Sequence, residues 1–243
     1  MNLLLISNST MAGEEYLLWP RKHIENFLRQ HNLSEVCFVP FAGISLSSKS
    51  MKDSYDVYAE RVGAVFHSLG AKLVSVHTTN DPVQRVKDAQ AVVVGGGNTF
   101  HLVYQLQTLG LMDVIREKVK SGTPYIGWSA GSNIACPSLM TTNDMPIIEP
   151  LSFQTLGLIP FQMNPHYLDA NPAGHGGETR QQRIEEFLIV NQKTKVAGLR
   201  EGCLLWMQEE QFKIIGSKPL RVFEYNKEPY EIEPGSDVSF LLE

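Results

Sequence analysis

The segment Gly127-Trp128-Ser129-Ala130-Gly131 constrains this chain more than any other. Apolar Tyr125-Ile126 leads into it, and Ser132-Asn133 after it can open a helix. The G-x-S-x-G pattern belongs to a sharp strand-to-helix turn with the serine at its apex. Small residues at Gly127, Ala130 and Gly131 let the backbone reverse without a side-chain collision. The turn lifts the serine hydroxyl from the end of a sheet and sets it beside a helix N-terminus. Free backbone N–H groups there can stabilise an oxyanion.

The chain before this turn alternates strand and helix. Residues 3–7 form a short apolar strand that runs into the polar Asn8-Ser9-Thr10. Residues 14–30 read as a helix interrupted by Pro20, 35–40 as a strand and 55–69 as a helix stopped by Gly70. A strand at 72–77, a helix at 82–89 and an apolar strand at 91–94 follow. Helices at 99–107 and 111–120 come next. Near-continuous apolar strands joined by helical crossovers predict a doubly wound, mostly parallel α/β sheet with helices on both faces. Ligands of such sheets bind at the carboxyl ends of the strands, and the loops after residues 7, 94 and 128 fall at that edge.

The texture changes after Pro137. Residues 138–165 show no periodicity and carry Pro146, Pro150, Pro160 and Pro165, so a long functional loop is expected. Residues 177–190 read as a helix. Short strands are expected at 196–199, 203–208, 212–215 and 220–225, with hairpin breaks at Glu209-Glu210 and Gly216-Ser217. No repeat or linker divides the chain, so residues 1–243 read as a single α/β domain.

Composition removes several function classes. The net charge of −5, without a basic stripe, argues against nucleic acid as a partner. No apolar run reaches the roughly 18–20 residues that span a bilayer, so no membrane partner is expected. The opening Met1-Asn2-Leu3-Leu4-Leu5-Ile6-Ser7 is too short for a secretory leader and lacks a basic start. Cys37, Cys136 and Cys203 are odd in number and far apart. Neither a disulfide framework nor a metal site is expected, and the predicted location is cytoplasmic. Gly95-Gly96-Gly97 follows an apolar strand, but no Gly-Lys-Ser/Thr continues it, so the phosphate-loop reading fails and no cofactor is expected. An oxyanion-binding loop fits this stretch better. The oligomeric state stays open between monomer and homodimer.

A serine nucleophile needs a base, usually histidine, and a carboxylate to orient it. His23, His31 and His67 sit in or beside helices, and His175 lies between two glycines. His77, His101 and His166 rank together, each near the expected active edge or a stiffened loop. The carboxylate candidates are Asp144, in a loop leaving the turn, and Glu201, at a strand–strand turn.

Five motifs in order then carry a resemblance. Val94-Gly95-Gly96-Gly97-Asn98-Thr99-Phe100, Ile126-Gly127-Trp128-Ser129-Ala130-Gly131, Thr141-Thr142-Asn143-Asp144-Met145-Pro146, Asn164-Pro165-His166 and Gly177-Glu178-Thr179-Arg180 together resemble the peptidase E family. These are aspartyl dipeptidases, serine peptidases with a class I glutamine-amidotransferase-like fold. The resemblance spans roughly residues 3–206 and weakens over the C-terminal tail. It implies hydrolysis of small dipeptides with N-terminal aspartate. It also implies Ser129 as nucleophile, His166 as base and Asp144 as the assigned triad acid, with Glu201 a second contender. The Gly97 and Ala130 amides would bind the oxyanion, Arg180 would select the aspartate carboxylate, and Asn98 would contact substrate. If Asp144 is the triad acid, Glu201 is free to hold the substrate α-amine. A cyanophycinase-like peptidase is the second enzyme reading, disfavoured by the intact dipeptidase motifs, and an amidotransferase would carry Cys at position 129. A catalytically silent binding protein on the same fold would be expected to lack Ser129, His166 or Asp144.

Overall fold

The apolar runs fold as strands of a buried sheet in the computed structural model, which describes residues 1–171, 174, 176–208 and 211–243. The chain runs β1 (Leu3–Ile6), α1 (Arg21–Gln30), β2 (Glu35–Val39), α2 (Met51–Ser68), β3 (Lys72–Ser75), α3 (Pro82–Lys87) and β4 (Val92–Val94). It continues α4 (Thr99–Thr108), α5 (Leu111–Lys120), β5 (Tyr125–Trp128), α6 (Ala130–Asn133), β6 (Gln162–Tyr167) and α7 (Arg180–Val190). The last strands are β7 (Val196–Arg200), β8 (Cys203–Gln208), β9 (Gln211–Gly216), β10 (Leu220–Phe223) and β11 (Tyr230–Ile232).

The fold is mixed α/β with a large, mostly parallel sheet in the order β3-β2-β4-β5-β1-β8-β9. β1 to β5 pair in parallel, and the β8–β9 hairpin adds antiparallel strands beside β1. Alternation along β1 shows how both faces are buried. Leu3 and Leu5 pack with Leu102, Leu106 and Ile115 of α4 and α5. Leu4 and Ile6 pack with Ile24, Phe27, Val62 and Phe66 of α1 and α2. A second sheet, β11-β10-β7-β6, has β6 and β7 parallel and the remaining pairs antiparallel.

Four expectations change. The break at Gly216-Ser217 closes no hairpin but carries the chain from one sheet to the other, since β9 pairs with β8 while β10 pairs with β7 and β11. The first helix starts at Arg21, not residue 14, because Leu17 lies at φ 56° and Pro20 stands at the helix entry. The second helix starts at Met51, earlier than expected, because the Ser50 side chain accepts the Asp53 N–H at 3.0 Å and caps it. The stretch expected to loop through residue 165 ends in a strand from Gln162. Among the described residues β6 has β7 as its one strand partner, at the sheet edge, where Pro165 need supply no ladder N–H. The expected break at Glu209-Glu210, and His175, lie outside the described residues.

The turn after β5 is built by close backbone approach. A Cβ on Gly131 would collide with the Val94 carbonyl oxygen, and one on Gly127 would lie 2.6 Å from the Gly131 carbonyl carbon. Both neighbours are main chain and cannot swing aside. Gly131→Ala should therefore lower stability by roughly 2–3 kcal/mol, read from urea unfolding. Gly63, within α2, has open space where a Cβ would stand, with nothing within 4 Å. Gly63→Ala should raise stability by about 0.5–1 kcal/mol. Equal effects at the two sites would remove the packing explanation.

Candidate active site

Ser129 sits between β5 and α6 with φ 52° and ψ −114°. This is a sparsely populated conformation for a residue with a side chain. The surroundings hold it. Ser129 N donates to Ile6 O at 3.0 Å, and the Ser132 hydroxyl lies 2.7 Å from Ile6 O and 2.8 Å from Gly127 O. The turn is thereby tied to the end of β1.

His166 faces Ser129 from the second sheet. Its Nε2 lies 2.9 Å from Ser129 Oγ, and its Nδ1 lies 2.7 Å from Glu201 Oε1. The histidine is at φ 56°, where the β6–β7 register shifts between Pro165 and Tyr167. That irregularity turns the ring out of the sheet toward Ser129. Ser7, at the end of β1, supports it: the hydroxyl donates to Leu199 O at 2.8 Å and accepts the His166 N–H at 3.0 Å. Asn8 next to it accepts the Gly202 N–H at 2.9 Å, holding the turn that carries Glu201.

Asp144 does not touch His166 in this arrangement. Its Oδ2 accepts the Thr99 N–H at 2.7 Å and the Thr99 hydroxyl at 2.6 Å, at the N-terminus of α4. The helix dipole favours an anion there. Asp144 nevertheless borders the same cavity as Ser129 and His166. Asn98 is largely committed to structure: its Oδ1 caps α4 by accepting the His101 N–H at 3.0 Å, and its Nδ2 donates to Met145 O at 2.9 Å. It therefore fastens the Asp144 loop while its residue still lines the cavity.

The glycine run answers three different close approaches. A Cβ on Gly95 would stand 2.5 Å from the Tyr58 hydroxyl, one on Gly96 2.8 Å from Ser129 Cβ, and one on Gly97 against the Ala42 carbonyl. Gly97 is also at φ 136°. Among the described residues, no protein acceptor takes the Gly97 or Ala130 N–H. The cavity beside them, of about 560 Å³, is in the usual size range for small-molecule sites. Arg61, Asp144 and His166 are among the residues that line it.

Arg180 opens α7 behind the Thr179 capping box and borders a smaller neighbouring hollow with Thr142, Asn143 and Asn164. It makes no salt bridge among the described residues. Burial and Arg183 push its pKa below the usual guanidinium value, while Asp144 pulls it back.

The other two histidine candidates are structural. His101 is buried, with Nδ1 2.8 Å from Phe41 O. His77 bridges Ser75 Oγ at 2.6 Å and Asp56 at 2.9 Å, a Ser-His-Asp row in outline. Ser75 is buried, however, and its hydroxyl lies 3.3 Å from Phe38 O. The three cysteines are free and buried, with burial pushing the Cys37 thiol up to about 11 and the Cys136 thiol to about 12. No metal-binding cluster occurs among the described residues, and no described helix is long and apolar enough to cross a membrane.

A strained serine at a strand–helix turn, in line with an imidazole and a carboxylate beside an open cavity, is the architecture of a hydrolase. The sequence profile described as Peptidase family S51 matches residues 3–215, and the chain belongs to that family. It is 48% identical over 241 residues to a protein named peptidase E from Nostoc sp., covering 99% of this chain and 96% of that one. A peptidase E from Shewanella amazonensis is 46% identical over 242 residues, with 98% of both chains covered. The crystal structure of a peptidase from an acI-B1 Actinobacterium superposes with a TM-score of 0.72 at 17% identity, covering 98% of this chain and 96% of that chain. The last likeness bears on the fold alone. The protein is a peptidase.

Arg200, missed at the sequence level, clamps the strand ends that carry His166 and Glu201. Its buried guanidinium donates to Asp169 at 2.9 Å and to Glu231 at 2.8 Å, and it lies 5.5 Å from the Tyr167 ring centroid. A charged residue at the inner end of a strand is the signal that could have found it. Hydrogen bonds from Arg200 are the main cause holding both carboxyls below their usual range. Their folded values being lowered, the stabilisation is complete above about pH 4–5 and is lost as pH falls through those lowered values. Arg200→Met should cost about 3 kcal/mol at pH 7. Its deficit against the parent should shrink below about pH 4, followed by urea unfolding across pH 3–7. A deficit independent of pH would leave packing as its cause.

Proposed function

We propose that this peptidase is a serine-type dipeptidase that hydrolyses Asp-Xaa dipeptides. The observation that carries the reading is the single imidazole placed between Ser129 Oγ at 2.9 Å and Glu201 Oε1 at 2.7 Å. Ser129 attacks the scissile carbonyl while His166 Nε2 takes its proton. Glu201 fixes the tautomer through Nδ1–H and stabilises the imidazolium. The Gly97 and Ala130 amides receive the oxyanion. His166 then protonates the leaving amine, and water, with His166 again as base, releases aspartate from the acyl-enzyme. The reading carries a class I glutamine-amidotransferase-like fold with it, supported by a nucleophile turn at the end of a central parallel strand. The buried free thiols favour the cytoplasm as the setting.

Glu201 takes the triad position in this reading, so Asp144 takes the other duty. An exopeptidase must hold a free α-ammonium, and Asp144 supplies the cavity with an anion that is fixed by Thr99. Arg180 supplies a guanidinium without a salt bridge among the described residues, electrostatically coupled to Asp144. Its planar fork matches an aspartate side chain and would gain little from asparagine.

The test is hydrolysis of Asp-Leu beside Asn-Leu, Glu-Leu and N-acetyl-Asp-Leu, with Ser129→Ala as blank. Strong cleavage of Asp-Leu alone is expected, and none by the blank. Glu201→Gln should lose about 10³–10⁴-fold in kcat, whereas Asp144→Asn should act chiefly by raising KM. The opposite pattern would move the triad acid to Asp144. Binding of Asp-Leu without turnover would overturn the peptidase chemistry at Ser129.

A further inference from the structure

The Tyr58 hydroxyl joins the turn of Ser129 to the glycine loop. It lies 3.0 Å from Gly96 O, 3.0 Å from Trp128 Nε1 and 3.2 Å from the Tyr16 hydroxyl. The proton directions are forced. A carbonyl only accepts and an indole N–H only donates, so Tyr58 donates its one proton to Gly96 O and accepts from Trp128. The Tyr16 hydroxyl then donates to the remaining lone pair. Tyr58 is buried, and with these three partners its hydroxyl has no capacity left to bond a substrate.

The atom Tyr58 holds belongs to the peptide unit Gly96–Gly97. That unit is planar and trans, so its N–H points opposite to its carbonyl. Fixing Gly96 O on the Tyr58 side fixes the Gly97 N–H on the other, where no acceptor among the described residues takes it. Gly97 and Ser129 line one cavity. Two donors into the Tyr58 oxygen polarise its O–H, and the bond to Gly96 O makes the Gly97 N–H a better donor. The absence of a side chain at Gly95 admits the phenol, since a Cβ there would lie 2.5 Å from its oxygen.

We propose that Tyr58 is a positioning residue that orients and polarises the Gly96–Gly97 peptide for the oxyanion, with Trp128 coupling it to the nucleophile turn. The proposal rests on the serine-peptidase reading but not on aspartate selectivity. It does not require Tyr58 to touch substrate.

The experiment compares the parent enzyme with Tyr58→Phe and Tyr16→Phe in two assays. One is steady-state cleavage of Asp-Leu. The other is the rate of Ser129 phosphonylation by a fluorophosphonate, which develops negative charge on oxygen without requiring aspartate recognition. Tyr58→Phe should lower kcat and the phosphonylation rate together, by roughly 10–100-fold, with KM within about twofold and the pH midpoint of kcat/KM unmoved. Tyr16→Phe, which removes one polarising donor, should lower both rates a few-fold and reports even if Tyr58→Phe fails to fold. Parent-like rates in folded variants, with only the unfolding midpoint changed, would overturn the proposal, as would a rise in KM alone. A parent that reacts with the fluorophosphonate but spares Asp-Leu loses the aspartyl-dipeptide reading, and the phosphonylation rates still decide the role of Tyr58. A parent inert to both overturns the serine reading and this proposal together.

Discussion

The hydrogen bond between Ser129 and His166 spans two sheets, and the backbone irregularities at these two residues set its length. Ser129 belongs to the large parallel sheet through β5, and His166 to the smaller sheet through β6. Each stands at a positive φ that an ordinary strand would not offer. Strain of this kind costs of order 1–3 kcal/mol per residue and persists only where the surroundings over-determine it. On the serine side, Ile6 O and Ser132 Oγ do so; on the histidine side, Ser7 Oγ holds the backbone N–H. Both sets of restraints begin at the end of β1. The first strand therefore sets the distance between Ser129 and His166, which come far after it in the chain.

What is legible in the sequence follows from the range of the physics involved. The Gly-Trp-Ser-Ala-Gly turn is local sterics, so the pattern alone predicts a strand, a serine apex and a helix, as found at β5 and α6. Helices bounded by glycine or proline punctuation are equally readable: residues 111–120 match α5. The parallel character of the large sheet shows in runs such as Val92-Val93-Val94. β6 does not show, because proline and the absence of alternation conceal an edge strand, and this strand carries His166. The fate of the two carboxylates is also hidden. Asp144 and Glu201 are each far from His166 in sequence, and only the β6–β7 pairing brings Glu201 alongside. Tyr58 falls within the helix expected at 55–69, and nothing local reveals that its hydroxyl ends at Gly96.

The separation of the two carboxylates has a physical logic. An acid that steadies an imidazolium must face Nδ1 and accept its proton in a hydrogen bond, as Glu201 is placed to do. In the proposed reading, a carboxylate that attracts a substrate cation must keep its orientation when the cavity empties. Asp144, held by a helix-terminal N–H and two threonine hydroxyls, meets that demand without substrate.

The three consecutive glycines show how tightly the same economy runs through the site. Each lacks a side chain for a separate reason: a phenol, a serine Cβ and a carbonyl oxygen crowd three successive positions. A larger residue at any of them would move a different part: the hydroxyl that holds Gly96 O, Ser129 itself, or the Ala42 carbonyl that accepts the Asn98 N–H. The loop is therefore held at several points despite its composition. Its backbone is pinned at Gly95 N by Val39 O, at Gly96 O by Tyr58 and at Asn98 N by Ala42 O, while the Gly96 and Gly97 N–H groups have no protein acceptor among the described residues. A donor held this way needs no reorganisation when charge appears on a neighbouring oxygen, and preorganisation of that kind is where electrostatic catalysis gains most.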